Sequence, residues 1–148
     1  MRPGAGDHEA DSKLLRYRLV EALVPLAAGP EEQIAYLDRT RSDTDDLVND
    51  FADWAIYWTP RLEAEGLVPG RLVAVLHAIA GRLTDMTERP DTSLWTDEAL
   101  RTLDDWREIR ALSAAALESF RGMGIRVPLI TDELLKPLDS APEVPGDR

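Results

Sequence analysis

The stretch that decides the fold is TDDLVNDFADWAIYW, residues 44–58. At about 100° per residue, its large apolar side chains share one face of a helix and its carboxylates share another. The apolar set is Leu47, Val48, Phe51, Trp54, Ala55 and Trp58. This pattern predicts an amphipathic helix, capped by Ser42 or Asp43, that buries one side.

Other segments on both sides of this helix repeat the same period. They are predicted to begin at Ser12, Pro30, Pro69 and Asp104 or Asp105, with a short helix capped by Thr96. Pro25 should kink or end the first of them, and Thr59 and Pro60 should break the chain after residue 58. Because apolar helix faces are buried only against one another, the expected fold is all-α, a compact bundle of five to six helices.

The two ends of the chain differ from the middle in composition. Residues 1–11 are small, polar and charged, and residues 126–148 contain repeated prolines that leave room for one helical turn at 131–135. We therefore expect a flexible N-terminal tail at 1–11, a helical domain at 12–125 and a Pro-rich C-terminal tail at 126–148, so that both termini are disordered.

Charge and cysteine content exclude several classes of function. The 148 residues carry a formal net charge of −11, which repels nucleic acid and attracts a basic protein. Acidity that serves only solubility is the simpler alternative. There is no cysteine, hence no disulfide, thiolate metal site or cysteine nucleophile. Without a long apolar run or a signal-like N-terminus, we expect a cytoplasmic protein that does not bind membranes.

A row of acidic residues is the sharpest candidate for a binding site. Asp46, Asp50, Asp53 and Tyr57 fall on one helical face, with Asp45 beside them. This row could meet a basic protein patch or remain a solvated face. It could also hold Mg²⁺ if a second acidic helix, carrying Asp85 and Glu88, lay opposite.

Recognisable catalytic machinery is missing from the sequence. There is no Gly-x-Ser-x-Gly, phosphate-binding glycine loop or zinc spacing, so we assign no catalytic residue, metal or cofactor. His77 is expected at the edge of an apolar stripe. Trp54, Trp58 and Trp106 are expected in the core, whereas Trp95 should be partly exposed. A small-ligand pocket lined by the tryptophans is a third possibility.

Four short runs carry a resemblance to known proteins. They are DDLVNDF at 45–51, EGLV at 65–68, LWTDEAL at 94–100 and WREIR at 106–110. Over residues 30–120 the chain resembles small uncharacterised acidic helical proteins from GC-rich bacteria. Some of these are similar to the immunity proteins of toxin–immunity pairs, which neutralise a toxin that is often a basic nuclease.

Together these features favour a non-catalytic protein-binding module, of the immunity or antitoxin type that the resemblance implies. Its expected partner is a protein with a basic patch, such as a toxin. The predicted binding residues are Asp45, Asp46, Asp50, Asp53 and Tyr57. The alternative is a metal-dependent all-α hydrolase of a phosphorylated metabolite that uses the clustered carboxylates.

Overall fold

The computed structural model describes the backbone of residues 4–130, together with the side chains of residues 13–130 except 50, 53, 54 and 56–58. The described chain contains six α-helices, one 3-10 helix and no strand. They are α1 Gly4–Ala27, α2 Pro30–Thr40, α3 Thr44–Ala64, α4 Gly70–Glu88, the 3-10 helix Thr92–Trp95, α5 Asp97–Thr102 and α6 Asp104–Gly122. The all-α prediction is confirmed.

The four longest helices contact one another in a ring. α1 packs on α6, α6 on α4, α4 on α3, and α3 again on α1, while α2 pairs with α5 beside the ring. The ring buries one apolar stripe from each member, and Leu23, Phe51, Ile79 and Phe120 are fully inaccessible to solvent. None of the described helices combines the length and apolar character needed to cross a membrane.

Most predicted helix starts agree with the structure. Pro30 opens α2, Asp43 is the N-cap of α3, and α6 begins at Asp104. The Thr96 hydroxyl caps α5 by accepting the backbone N–H of Ala99 at 3.1 Å. Capping side chains accept hydrogen bonds from the free N–H groups of a first helical turn, and proline has no N–H group to satisfy. These residue types therefore allow helix starts to be predicted from the sequence.

The predicted break at Thr59 and Pro60 is wrong. α3 continues through Pro60 to Ala64. Gly66, two residues after the end of the helix, adopts the left-handed φ of 68°. Thr59 and Leu62 are both buried on either side of the proline. Packing of that last part of the helix offsets the lost hydrogen bond, so tertiary contacts override the local signal.

The ends of the helical region also differ from the prediction. The backbone of α1 begins at Gly4 rather than at Ser12, since no proline or glycine interrupts residues 7–24. Beyond α6, Pro128 and Ile130 are buried, so the packed chain extends past the predicted boundary at 125. The predicted turn at 131–135 lies outside the described residues.

One buried amide joins the ring to the outer pair of helices. Gln33 on α2 is fully buried, and its Nε2 donates to the carbonyls of Pro25 and Leu26 at 3.0 and 3.2 Å. Its Oε1 accepts from Nη1 of Arg110 on α6 at 3.1 Å, and the same nitrogen donates to the Leu100 carbonyl at 2.9 Å. The amide thus donates to two carbonyls at the end of α1, and Arg110 donates to a carbonyl at the end of α5.

Ion pairs add a second connection, between α4 and α6. Nη2 of Arg89 lies 2.7 Å from Oδ2 of Asp105, a mostly buried carboxylate, and Arg82 contacts Glu108 at 2.5 Å. Arg89 also pairs with Asp85, one turn earlier on α4. The pairs fix the register of the two helices at the edge of the ring, where each exposed pair stabilises the fold only modestly.

Replacing Gln33 should show how much the buried amide contributes. Gln33→Ala leaves two carbonyls and one guanidinium N–H without their partner, and we expect a loss of about 2–4 kcal/mol in the free energy of unfolding. Urea denaturation followed by circular dichroism measures it. Asp38→Ala, at an exposed position of α2 that forms no described ion pair, is the control and should cost much less. Equal losses in the two variants would contradict this role.

Acid should weaken the contact between α2 and α5. The Arg101 guanidinium, 2.7 Å from Glu31, donates to its carboxylate and lowers its pKa below the ordinary 4.5. A lowered folded-state pKa gives stability that is complete above 4.5 and is lost as pH falls through the folded value. Glu31→Gln should therefore lose less stability than wild type between about pH 5 and pH 3.

Urea midpoints measured across that range test the prediction. Arg101→Gln is the matched variant, since removing the cation should flatten the pH profile as removing the carboxylate does. An unchanged slope in both variants would show that the ion pair is not formed in solution.

Candidate functional site

An acidic cleft opens where α2, α3 and α5 meet. Its volume is about 390 Å³, and aspartates from three helices line it: Asp38, Asp43, Asp45 and Asp97. Leu37, Ser42, Thr44, Trp95 and Thr96 complete the wall. The cleft therefore gathers three carboxylates from the connection between α2 and α3 with a fourth, Asp97, that is distant in the sequence.

The tight connection from α2 to α3 sets one wall of the acidic cleft. Arg41 ends α2 in the left-handed region, with φ 56° and ψ 43°, and Ser42 N–H donates back to the Leu37 carbonyl at 2.9 Å. Asp43 then caps α3, and its own N–H donates to Oδ2 of Asp46 at 2.9 Å. This reciprocal cap turns the chain sharply and places Asp43 and Asp45 at the rim.

The opposite wall depends on two tryptophans. Nε1 of Trp106, which is fully buried, donates to the Leu94 carbonyl at 2.9 Å and fixes the 3-10 helix against α6. Trp95 follows, edge-on to Trp106 with ring centroids 5.8 Å apart and an interplanar angle of 81°. The predictions that Trp106 is a core residue and that Trp95 is partly exposed are confirmed.

The acidic cleft continues into an apolar groove between α3 and α4. A depression of about 260 Å³ joins Asp45 and Trp95 to Val48, Asn49 and Thr87. A further groove of about 280 Å³, the apolar groove, also contacts Val48, Asn49 and Thr87. Its other lining residues are Phe51, Ala52, Ala80, Leu83, Thr84 and Glu88. The continuous surface thus has a negatively charged end and an apolar end.

None of the four carboxylates of the acidic cleft forms an ion pair with a described cation, although Arg101 lies close enough to Asp97 to interact with its charge. Within the described side chains, ion pairs engage the carboxylates of Glu31, Asp85 and Asp105, but none engages Asp38, Asp43, Asp45 or Asp97. Asp43 and Asp97 stand at helix N-termini, where the helix dipole stabilises negative charge. The cleft therefore has a negative potential that internal pairing does not cancel.

The structure separates the predicted binding residues. Asp45 is exposed and lines the acidic cleft, whereas the carboxylate of Asp46 is half-buried and occupied by the Asp43 N–H. Asp46 is thus a capping residue, and the predicted row does not begin with a free carboxylate. Asp50, Asp53 and Tyr57 belong to α3, but their side chains lie outside the described residues.

The metal hypothesis is not tested for the whole acidic row, because the side chains of Asp50 and Asp53 lie outside the part of the chain that is described. Within the described part, no three Asp, Glu or His side chains come together in a way that could hold a metal ion. Asp85 is held by Arg89, which donates a hydrogen bond to it at 2.5 Å and lowers its pKa. Glu88 lines the apolar groove, and His77 is exposed on α4 rather than at the edge of its apolar stripe.

Sequence reasoning missed Asp38 and Asp97 as members of the site. The local signal at Asp97 is a helix N-terminus, and Asp38 stands in the last turn of α2. Asp38 and Asp97 come close together because α2 packs on α5, and no local sequence pattern predicts this tertiary contact.

No protein-family model, curated protein or solved structure matches this chain. The resemblance to immunity proteins therefore remains a proposal. What the acidic cleft can do follows from its own residues and shape.

Arg41 gives a test of the turn that shapes the cleft. A left-handed conformation costs a residue with a Cβ about 1–2 kcal/mol, and glycine avoids this cost. Part of the resulting gain in stability is offset because glycine has more conformational freedom in the unfolded chain. We expect Arg41→Gly to raise the free energy of unfolding by about 0.5–1 kcal/mol, measured by urea denaturation.

Gly66 is the matched control for this substitution. It ends α3 at φ 68°, and a Cβ built there meets no atom within 4 Å, so Gly66→Ala changes only the backbone preference. That variant should lose stability by a similar amount. A loss in Arg41→Gly would show that its side chain, rather than its φ, determines the turn.

Proposed function

We propose that this protein is a non-catalytic binding module of the immunity type, which holds a partner with a basic patch against the acidic cleft. The observation that carries this proposal is the gathering of Asp38, Asp43, Asp45 and Asp97 in one cleft without described cationic partners. A cationic side chain entering the cleft would supply the missing charge.

The net charge supports the same kind of partner. A chain of formal charge −11 attracts a basic protein over long range and repels a nucleic acid. A toxin that acts on nucleic acid carries a basic surface for its substrate, and an acidic protein can cover that surface. We propose this mode of neutralisation, in a bacterial cytoplasm.

The groove beyond the acidic cleft supplies apolar contact area. Charge steers association, whereas affinity depends largely on apolar anchors that are buried at the centre of an interface. Val48, Ala52 and Ala80, which are half-buried, line the apolar groove, and the half-buried Trp95 stands where it meets the acidic cleft. In this proposal the six α-helices form one compact bundle, and Asp50, Asp53 and Tyr57 of α3 remain candidate binding residues.

Association kinetics test the proposal. The partner is first captured from the native host with the wild-type chain, and its binding is then measured by surface plasmon resonance at several salt concentrations. Asp45→Asn with Asp97→Asn should slow association about fivefold to tenfold at low ionic strength and flatten its salt dependence. Dissociation should change less, because the apolar contacts remain.

Glu63→Gln is the control, which removes one negative charge away from the acidic cleft. Glu63 is exposed near the other end of α3 and lines none of the described grooves, so this variant should keep nearly wild-type kinetics. Equal rates in all three proteins would remove the acidic cleft as the binding surface. Calorimetric titration with Mg²⁺ or Mn²⁺ addresses the hydrolase alternative, which requires binding at millimolar metal.

A further inference from the structure

A second groove, of opposite charge, lies between α1 and the segment that follows α6. It measures about 260 Å³ and is lined by Lys13, Arg16, Tyr17, Gly124, Ile125 and Arg126. We call it the basic groove. It shares no residue with the acidic cleft or with the apolar groove.

Gly124 creates the second wall of the basic groove. It adopts φ 82° just after α6, and the N–H groups of Gly124 and Ile125 donate to the Arg121 and Phe120 carbonyls at 2.9 and 3.1 Å. This is the Schellman arrangement, in which a left-handed glycine reverses the chain. The reversal places Ile125 and Arg126 against α1.

The three cations of the basic groove have no described acidic partner. Arg18 and Arg121, which are close to them in sequence, each pair with a glutamate three residues away, Glu21 and Glu118. Lys13, Arg16 and Arg126 make no such pair with any described side chain. In addition, Nε of Arg16 is buried without a hydrogen-bond acceptor. An unsatisfied donor on a charged group is costly, and an anion beside this guanidinium would offset part of that cost electrostatically.

Apolar surface accompanies this charge. The large hydrophobic side chains that are exposed in the described chain are Leu14, Tyr17 and Leu129, at 48%, 45% and 60%. Tyr17 lines the basic groove, Leu14 is next to Lys13 in sequence, and Leu129 is three residues beyond Arg126. Apolar side chains beside unpaired cations complement a ligand that is itself both apolar and anionic.

We propose that the basic groove binds a small organic anion that has an apolar body and a carboxylate head. The guanidinium groups of Arg16 and Arg126 would meet the carboxylate, whose planar geometry they match, and Lys13 would add a third positive charge. Tyr17 and Ile125 would cover the apolar body. This site is independent of the proposed function of the acidic cleft.

Octanoate is the probe for this site. Titrated into the full-length ¹⁵N-labelled protein, it should shift the backbone amides of residues 13–17 and 124–126, with a dissociation constant on the order of 1 mM. Arg126→Gln or Lys13→Gln should weaken binding about threefold to fivefold, as expected for removing one exposed charge. Both residues are exposed, so the fold should survive either change.

Two controls make the result decisive. Arg71→Gln removes the same charge from an exposed position on α4 and should leave octanoate binding unchanged. The alcohol 1-octanol has the same chain without the negative charge and should bind much more weakly. The proposal is overturned if octanoate leaves these amides unmoved, if octanol moves them equally, or if Arg71→Gln weakens binding as much as Arg126→Gln.

A second titration distinguishes two sources of the same chemistry. A tripeptide ending in leucine offers an apolar side chain beside a free terminal carboxylate, and its amidated form lacks the charge. Binding of the free peptide with at least the affinity of octanoate would identify a peptide C-terminus as the ligand. Binding of octanoate alone would identify a free carboxylic acid.

Discussion

The buried amide of Gln33 is the interaction on which the arrangement of this fold depends. Burying a polar side chain is unfavourable unless each of its groups is hydrogen-bonded. Here Nε2 reaches two carbonyls at the end of α1, and Oε1 accepts from Arg110 of α6. Arg110 in turn donates to the Leu100 carbonyl at the end of α5. The pKa of its guanidinium is lowered, mainly by burial and secondly by the positive charge of Arg107. One side chain thus joins α2 to the ring and, through Arg110, to α5. Apolar contact alone would fix these positions less specifically.

The acidic cleft is a consequence of that arrangement. Its carboxylates come from α2, α3 and α5, and a different local turn or helix cap positions those of each helix. The left-handed turn at Arg41 brings Asp43 close to the end of α2. The Thr96 cap orients the first turn of α5, which carries Asp97. The hydrogen bond from Trp106 to the Leu94 carbonyl holds the neighbouring Trp95 in the wall of the cleft. Like charges in one cleft repel one another, so the packing of α2 on α5 must offset that cost in the absence of a partner.

Helix faces and caps could be predicted from the sequence because they are local. The apolar period locates buried residues such as Leu47 and Ile109, and Asp43, Thr96 and Pro30 begin helices for reasons contained within one turn. The break predicted at Pro60 is wrong, since only the tertiary burial of Leu62 shows why the helix continues. Of the candidate site, Asp45 could be found from the acidic helix, whereas Asp38 and Asp97 could not, because their meeting depends on how α2 and α5 pack.

Charge is distributed unevenly over this acidic protein, and the distribution is informative. Most described arginines near the ring are engaged by carboxylates within a few residues or across a helix contact, as Arg82, Arg89 and Arg121 are. Aspartates without an ion-pair partner among the described side chains gather where α2 meets α3, and cations of the same kind gather where α1 meets the segment after α6. Folding stability alone would favour pairing these groups, since both kinds occur in the same chain. Their separation into two grooves, each next to apolar surface, is the property expected of surfaces that are completed by something outside the chain.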